Sequence, residues 1–184
     1  MEIEALRMMR RGILLAALVL CGVVLGCGGS DATGPSGDRS KVAGVYTLAT
    51  LTFDPHGSLP KVDIMERFAP ADRPELVLSR TDYTFQAVTR DPGSGRFEAV
   101  EGQYTLFGSD GLRLRFKRQD DAQKLLLPQR AELVFDETSM TLTYHANTAV
   151  SLSRLRNLVP EFRNEQLPDP VQGELVLVFT LDRR

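Results

Sequence analysis

From Lys41 onward apolar and polar residues alternate with a period of two, the period of a β-strand that buries one face. Val45, Thr47, Ala49, Leu51 and Phe53 alternate with Tyr46, Leu48, Thr50 and Thr52 and predict a long first strand. Leu76 and Leu78 flank Val77 in a short second one. Arg80-Thr81-Asp82 then turns the chain into a third, whose Tyr83, Phe85 and Ala87 oppose Thr84 and Gln86. After the turn cluster Asp91-Pro92-Gly93-Ser94-Gly95, residues 97–107 read as a further strand, with Gly102 marking a bend or bulge. Gly108-Ser109-Asp110-Gly111 signals a hairpin into the clearest alternation of the chain: Leu112, Leu114 and Phe116 inward, Arg113, Arg115 and Lys117 outward. Ala131, Leu133 and Phe135 against Glu132 and Val134, then Met140, Leu142 and Tyr144 against Thr141, Thr143 and His145, predict two more. The last strand, residues 174–182, is apolar on both faces through Leu175, Val176, Leu177, Val178 and Phe179. It should lie between neighbours or close the sheet.

One segment breaks this rhythm. Leu155, Leu158, Val159 and Phe162 follow the i, i+3, i+4, i+7 spacing of an amphipathic helix, with Ser151 or Ser153 as cap and Pro160 ending or kinking it. A second, shorter helix is expected over 62–68, and Pro168-Asp169-Pro170 forms a stiff loop before the last strand. About eight strands joined by short hairpins fit an all-β fold, either a sandwich or an antiparallel up-and-down β-barrel. Closure removes every exposed edge and favours the barrel. The one short helix before the last strand then packs on its outside or plugs one end.

The first 26 residues carry a different pattern. Arg7, Arg10 and Arg11 precede an uncharged apolar run, residues 13–25, too short to span a bilayer comfortably; small residues follow. Positive flank, apolar run and small-residue cleavage site make residues 1–26 a signal peptide. Val24-Leu25-Gly26-Cys27 resembles the lipobox of bacterial lipoproteins. The resemblance implies lipidation of Cys27, which becomes the mature N-terminus and anchors the protein to a membrane. Cys21 fits less well, since the bulky Leu20 stands where that family has Gly, Ala or Ser. The family's inner-membrane retention signal is an Asp after the cysteine; Gly28 stands there, which points to the outer membrane. The protein is then exported and lipid-anchored to the cell envelope, facing the periplasm or the cell surface. With Cys27 lipidated and Cys21 removed, no disulfide remains and the core must supply stability. Residues 28–40 are glycine-rich and polar without a large apolar side chain. Together with Cys27 they read as a lipidated, flexible tether, leaving 41–184 as the domain.

Cleavage removes three basic and two acidic residues and leaves a net charge of −3. That balance argues against nucleic acid as a partner. The domain pattern resembles the lipocalin-like barrels found in small bacterial lipoproteins. Gly44-Val45-Tyr46 stands where lipocalins carry Gly-x-Trp, and the resemblance implies that Tyr46 plugs the barrel base. Thr81-Asp82-Tyr83 matches a second lipocalin motif in letters but sits in an early hairpin. The helix precedes the last strand, whereas the lipocalin helix follows it. The resemblance implies a cup for a small apolar molecule; an eight-stranded barrel is also narrow enough to be filled by its own side chains.

Candidate chemistry is sparse. His56 lies in a turn and His145 on the outer face of a strand, and their spacing predicts no metal site with a carboxylate such as Asp54. Gly93-Ser94-Gly95 lacks the nucleophile-elbow spacing. Glu98 and Glu101 fall on opposite faces of one strand, and Asp120-Asp121 lacks an EF-hand pattern. The sharpest surface feature is the basic stripe Arg113, Arg115, Lys117 and Arg118, suited to an anionic partner. The expectation is a non-enzymatic protein without cofactor or metal. It is a membrane-tethered lipoprotein that holds a small hydrophobic ligand in its barrel, or an interaction or structural protein with a filled core that meets another envelope protein.

Overall fold

The alternating segments build one antiparallel sheet that closes on itself. The computed structural model describes residues 39–57, 59–90 and 95–182. The expected signal peptide, Cys27 and the tether up to residue 38 lie outside the described residues, as do residues 91–94 of the turn cluster. The strands are β1 (Gly44–Pro55), β2 (Val62–Asp63), β3 (Glu75–Leu78), β4 (Thr84–Arg90), β5 (Phe97–Phe107), β6 (Gly111–Phe116), β7 (Arg130–Asp136), β8 (Thr141–Val150) and β9 (Val171–Leu181). Each wall strand pairs antiparallel with the next, and β9 pairs back onto β1, so eight of them form a closed up-and-down barrel. The two-residue β2 only extends the free edge of β1, at Thr52 and Phe53. Three short helices accompany the barrel: α1 (Arg39–Val42), α2 (Gln119–Gln123) and α3 (Leu152–Leu158). The expected all-β barrel with a short helix before its last strand is the fold observed.

The closing strand departs from simple alternation. Tyr46 and Leu48 point inward, and so do Leu51, Phe53 and Pro55, although the two sets differ in phase. Pairing of β1 with β9 shifts register between Leu48 and Thr50. A bulge there inserts one residue and turns the second half of the strand over, so the single alternation expected across β1 is replaced by two half-strands that both feed the core. The expected helix over 62–68 is instead β2 followed by a 3₁₀ turn, Met65–Arg67. Asp120-Asp121 lie in the short helix α2, and the three leucines after it, Leu125, Leu126 and Leu127, are buried.

The two barrel ends differ. At one end β3–β4, β5–β6 and β7–β8 are joined by tight turns. In the β5–β6 turn Gly108 takes a left-handed φ of 62° that other residues adopt only at a cost, and in the β7–β8 turn Asp136 accepts the Thr138 amide at 2.8 Å. The helical turn α1 crosses this end: Arg39 donates to the Thr81 carbonyl at 2.9 Å and stacks over the Tyr83 ring, while Lys41 pairs with Glu137. Arg39 and Ser40, expected in the tether, thus belong to the ordered end. At the other end lie the long connections. α3 is anchored there on both sides, by Arg154 donating to the Lys124 carbonyl at 2.7 Å after α2 and by the ion pair of Glu161 with Arg67 on the β1–β3 connection. Those connections leave opposite sides of the barrel, so α3 plugs the end rather than lying on the outer wall. Its first amide is satisfied by Asp169 at 3.1 Å rather than by the hydroxyl of Ser151 or Ser153, which bond to each other.

Between the ends the barrel is filled by its own side chains. Tyr46, Tyr104, Phe53, Phe116, Phe179, Leu48, Leu76, Leu112 and Leu114 are each less than 2% exposed. A side chain bordering a void that admits even one water would offer that void some surface, so no ligand-sized cavity adjoins these residues. Gly102 makes the packing of two large rings possible: Phe85 and Phe116, its partners in register on β4 and β6, meet edge-on over it with centroids 4.9 Å apart. The Tyr46 hydroxyl is buried and donates to the Val42 carbonyl at 2.9 Å, tying the ring to α1 at the base of the barrel.

Two expectations follow. In Gly102→Ala the new methyl would stand 2.5 Å from Phe85 Cε1 and closer still to the Arg115 carbonyl; overpacking of this kind costs roughly 1–3 kcal/mol. Urea denaturation should register a loss in that range, and an unchanged midpoint would refute this account of the bend. Burial, reinforced by neighbouring Tyr104, pushes the Tyr46 phenol up to about 12, and burial raises Tyr104 and Tyr144 as well. Because the folded value lies above the unfolded one of about 10, this stabilisation is full below pH 10 and is lost as pH rises through 12. Absorbance titration should show the buried phenols ionising late, together with alkaline unfolding; a single ordinary titration of the whole tyrosine signal would contradict it.

Candidate functional site

The wall around Gly102 has an outer side, and there residues of β3 to β6 border a cleft of about 770 Å³. Outward side chains line it by the two-residue period of the strands, and Phe85, Gly102 and Phe116 reach it from the inner set. Strand register arranges these side chains in two rows. Val77, Gln86 and Glu101 stand side by side on β3, β4 and β5, with Lys117 beyond them. Thr84, Gln103 and Arg115 form the second row, on β4, β5 and β6, and Arg130 on β7 continues it in register beyond the cleft lining. Ser79 continues it beside Thr84, whose carbonyl accepts the Ser79 amide at 2.9 Å.

The charges along the rows are not balanced evenly. Lys117 Nζ reaches Glu101 at 2.9 Å. Arg113, one step along β6, donates through Nε and Nη2 to Glu132 Oε1 at 2.9 and 2.6 Å and lies over the Phe107 ring. Arg118 pairs with Asp120 at 3.3 Å. Arg115 has none of this: its register neighbours are Gln103 and a second guanidinium, Arg130, and among the described residues neither arginine has an ion-pair partner. Of the four basic residues singled out from the sequence, three therefore answer carboxylates of their own chain, and the unanswered charge sits at Arg115 with Arg130. Arg130 escaped the sequence reading because it lies fifteen positions away and precedes the apolar alternation of its strand; only the β6–β7 register brings it opposite Arg115.

Glu98 and Glu101 are bound by different lysines, Lys124 and Lys117. His145 and His56, remote in sequence, come to the same stretch of outer wall: His145 Nε2 bonds Glu174 and His56 Nε2 bonds Asn147 Oδ1 at 3.1 Å, with Asp54 in register with Glu174. The hydrogen bond from His145 holds the Glu174 carboxyl below its ordinary value, and the charges of His145, Lys61 and His56 act in the same direction. Even so, among the described residues no three His, Cys, Asp or Glu side chains are gathered to hold a metal ion. Beside α3, Arg90 joins Asp72 and accepts no further acid; it donates to the Gly95 carbonyl at 2.9 Å. The Thr89 hydroxyl is buried without a partner among the described residues.

The outer cleft can therefore offer fixed positive charge flanked by neutral amides and hydroxyls. It holds neither a nucleophile with its base nor a pair of free carboxylates. No protein-family model matches the chain, and no curated protein matches it.

Like charges directly opposite on neighbouring strands cost stability on the order of a few tenths of a kcal/mol. Arg130→Gln should thus leave the fold equally or slightly more stable at low salt, with the gain shrinking as salt screens the pair. Thermal denaturation at low and high ionic strength measures this, and a clear destabilisation by Arg130→Gln would show that the guanidinium is engaged elsewhere.

Proposed function

We propose that this chain is a lipoprotein, tethered to the cell envelope through Cys27, whose lipocalin-like barrel is a non-catalytic interaction module that meets an anionic partner on its outer wall. The observation that carries the reading is the contrast between the two sides of that wall. The inside is closed by Tyr46 and α1 at one end and by α3 at the other, with aromatic and leucine side chains packed between them. The outside carries a cleft next to two unanswered arginines. Recognition sites need concavity and convergent polar groups, and here both lie outside the barrel.

The anchor fits this role. The first described residue, Arg39, stands at the end with tight turns, away from the connections that α3 plugs. A carrier of a small hydrophobic molecule would need the interior instead, and the interior supports the interaction reading.

The test has two arms. Expressed in a lipoprotein-processing host, the full chain should incorporate an alkyne-labelled fatty acid and fractionate with membranes, and Cys27→Ser should abolish both. Native mass spectrometry of the mature protein should give the bare polypeptide plus its lipid, and a fluorescent hydrophobic probe should not bind the folded domain. A retained apolar molecule that leaves on denaturation would overturn the filled-core reading and establish the carrier.

A further inference from the structure

Resting on the reading of the cleft as an anion-binding site, the geometry points to an acidic saccharide as its ligand: a short glycan whose sugar rings carry carboxylates, seated along the row Thr84, Gln103, Arg115 and Arg130.

The charge comes first. Arg115 and Arg130 stand opposite each other in register, and among the described residues neither has a carboxylate partner. Guanidinium presents a planar fork that matches a carboxylate with two parallel hydrogen bonds, and a carboxylate between the two arginines would replace their repulsion by two attractions. The neighbouring acids cannot fill this place, because Glu132 is taken by Arg113 and Glu101 by Lys117. What the pair lacks must come from outside.

The rest of the lining separates a saccharide from other anions. Gln103, Gln86 and Thr84 stand next along the rows, and each both donates and accepts hydrogen bonds. Sugar hydroxyls do the same, so amides and hydroxyls set at the strand spacing meet a ligand with a hydroxyl at every step. The row from β4 to β7 runs about 14 Å across the strands, the reach of a short oligosaccharide. An acidic peptide fits less well. Peptides bind sheets chiefly by adding a strand to a free edge, and this wall offers none, since β4, β5 and β6 are each paired on both sides. A bilayer surface, being flat, does not enter a concave site.

The experiment is calorimetric titration of the full chain in nonionic detergent at low salt. The probes are an oligogalacturonate of about four residues, a neutral galacto-oligosaccharide of the same length, and a tetraglutamate peptide. The oligogalacturonate should bind, with affinity falling as salt rises. Arg115→Gln and Arg130→Gln should each weaken it about tenfold or more, and Gln103→Ala severalfold. The neutral saccharide should bind at least a hundredfold more weakly. Binding of the peptide as tightly as the oligogalacturonate, with the same dependence on both arginines, would overturn the saccharide inference and leave the anion-binding reading standing. Binding of none of the probes would overturn both. Oligogalacturonate binding that survives the Arg115→Gln, Arg130→Gln double variant would remove the ligand from this cleft, and equal binding of the neutral saccharide would remove charge as the determinant. All three substitutions are at exposed side chains, and thermal denaturation of each variant separates lost binding from lost fold.

Discussion

Everything in this molecule depends on the pairing of its first strand with its last. β1 meets β9 over almost its whole length, and that single seam converts an open meander into a closed barrel. The seam works because of the bulge between Leu48 and Thr50. A regular strand would turn either Tyr46 and Leu48 or Leu51 and Phe53 toward water; the inserted residue lets all four point inward. It also lets one strand serve two neighbours on one edge, β3 beside residues 44–47 and β2 beside Thr52 and Phe53. Without the bulge either half of the core would be lost, and with it the reason for the barrel to close.

Much of this architecture was legible because the strand period is short and unforgiving. In β6 the alternation of Leu112, Leu114 and Phe116 with arginines admits one orientation, and the structure has it. The same holds for Ala131, Leu133 and Phe135 on β7. What escaped reading were features that periodicity does not encode. A bulge is one residue in a run where both faces, Tyr46 and Leu48 or Leu51 and Phe53, are apolar enough to be inside, so the pattern looks unbroken. α2 is too short to show a helical period, and Leu125, Leu126 and Leu127 close the barrel end as an irregular turn in which Leu126 takes a left-handed φ of 61°. The cap of α3 came from Asp169, beyond any local motif.

The cleft was half legible for the same reason. Its basic stripe is visible along β6, because residues on one strand are neighbours in sequence as well as in space. Which of those charges is answered is a question about adjacent strands, and register alone decides it: Glu132 lies opposite Arg113, while Arg130 lies opposite Arg115. Likewise Gly102 reads in sequence as a bend or bulge, but the β4–β5 pairing runs through it without a shift, and it is the meeting of Phe85 and Phe116 over it that accounts for the missing side chain. The two histidines repeat the lesson. Their separation in sequence predicted nothing, yet the order β1–β9–β8 brings both beside Glu174.

A barrel of eight strands must divide its wall between two uses. Its inner face is small enough to be saturated by its own side chains, and Tyr104, Phe116 and Phe179 fill it. Under the interaction reading, binding falls to the outer face, where a convex sheet ordinarily offers no enclosure. Gly102 joins the two faces: its missing side chain leaves room for Phe85 and Phe116 inside, and all three residues also border the outer cleft. A repulsive pair such as Arg115 and Arg130 persists in a domain with no disulfide among its described residues. The cost is small against a core this fully buried.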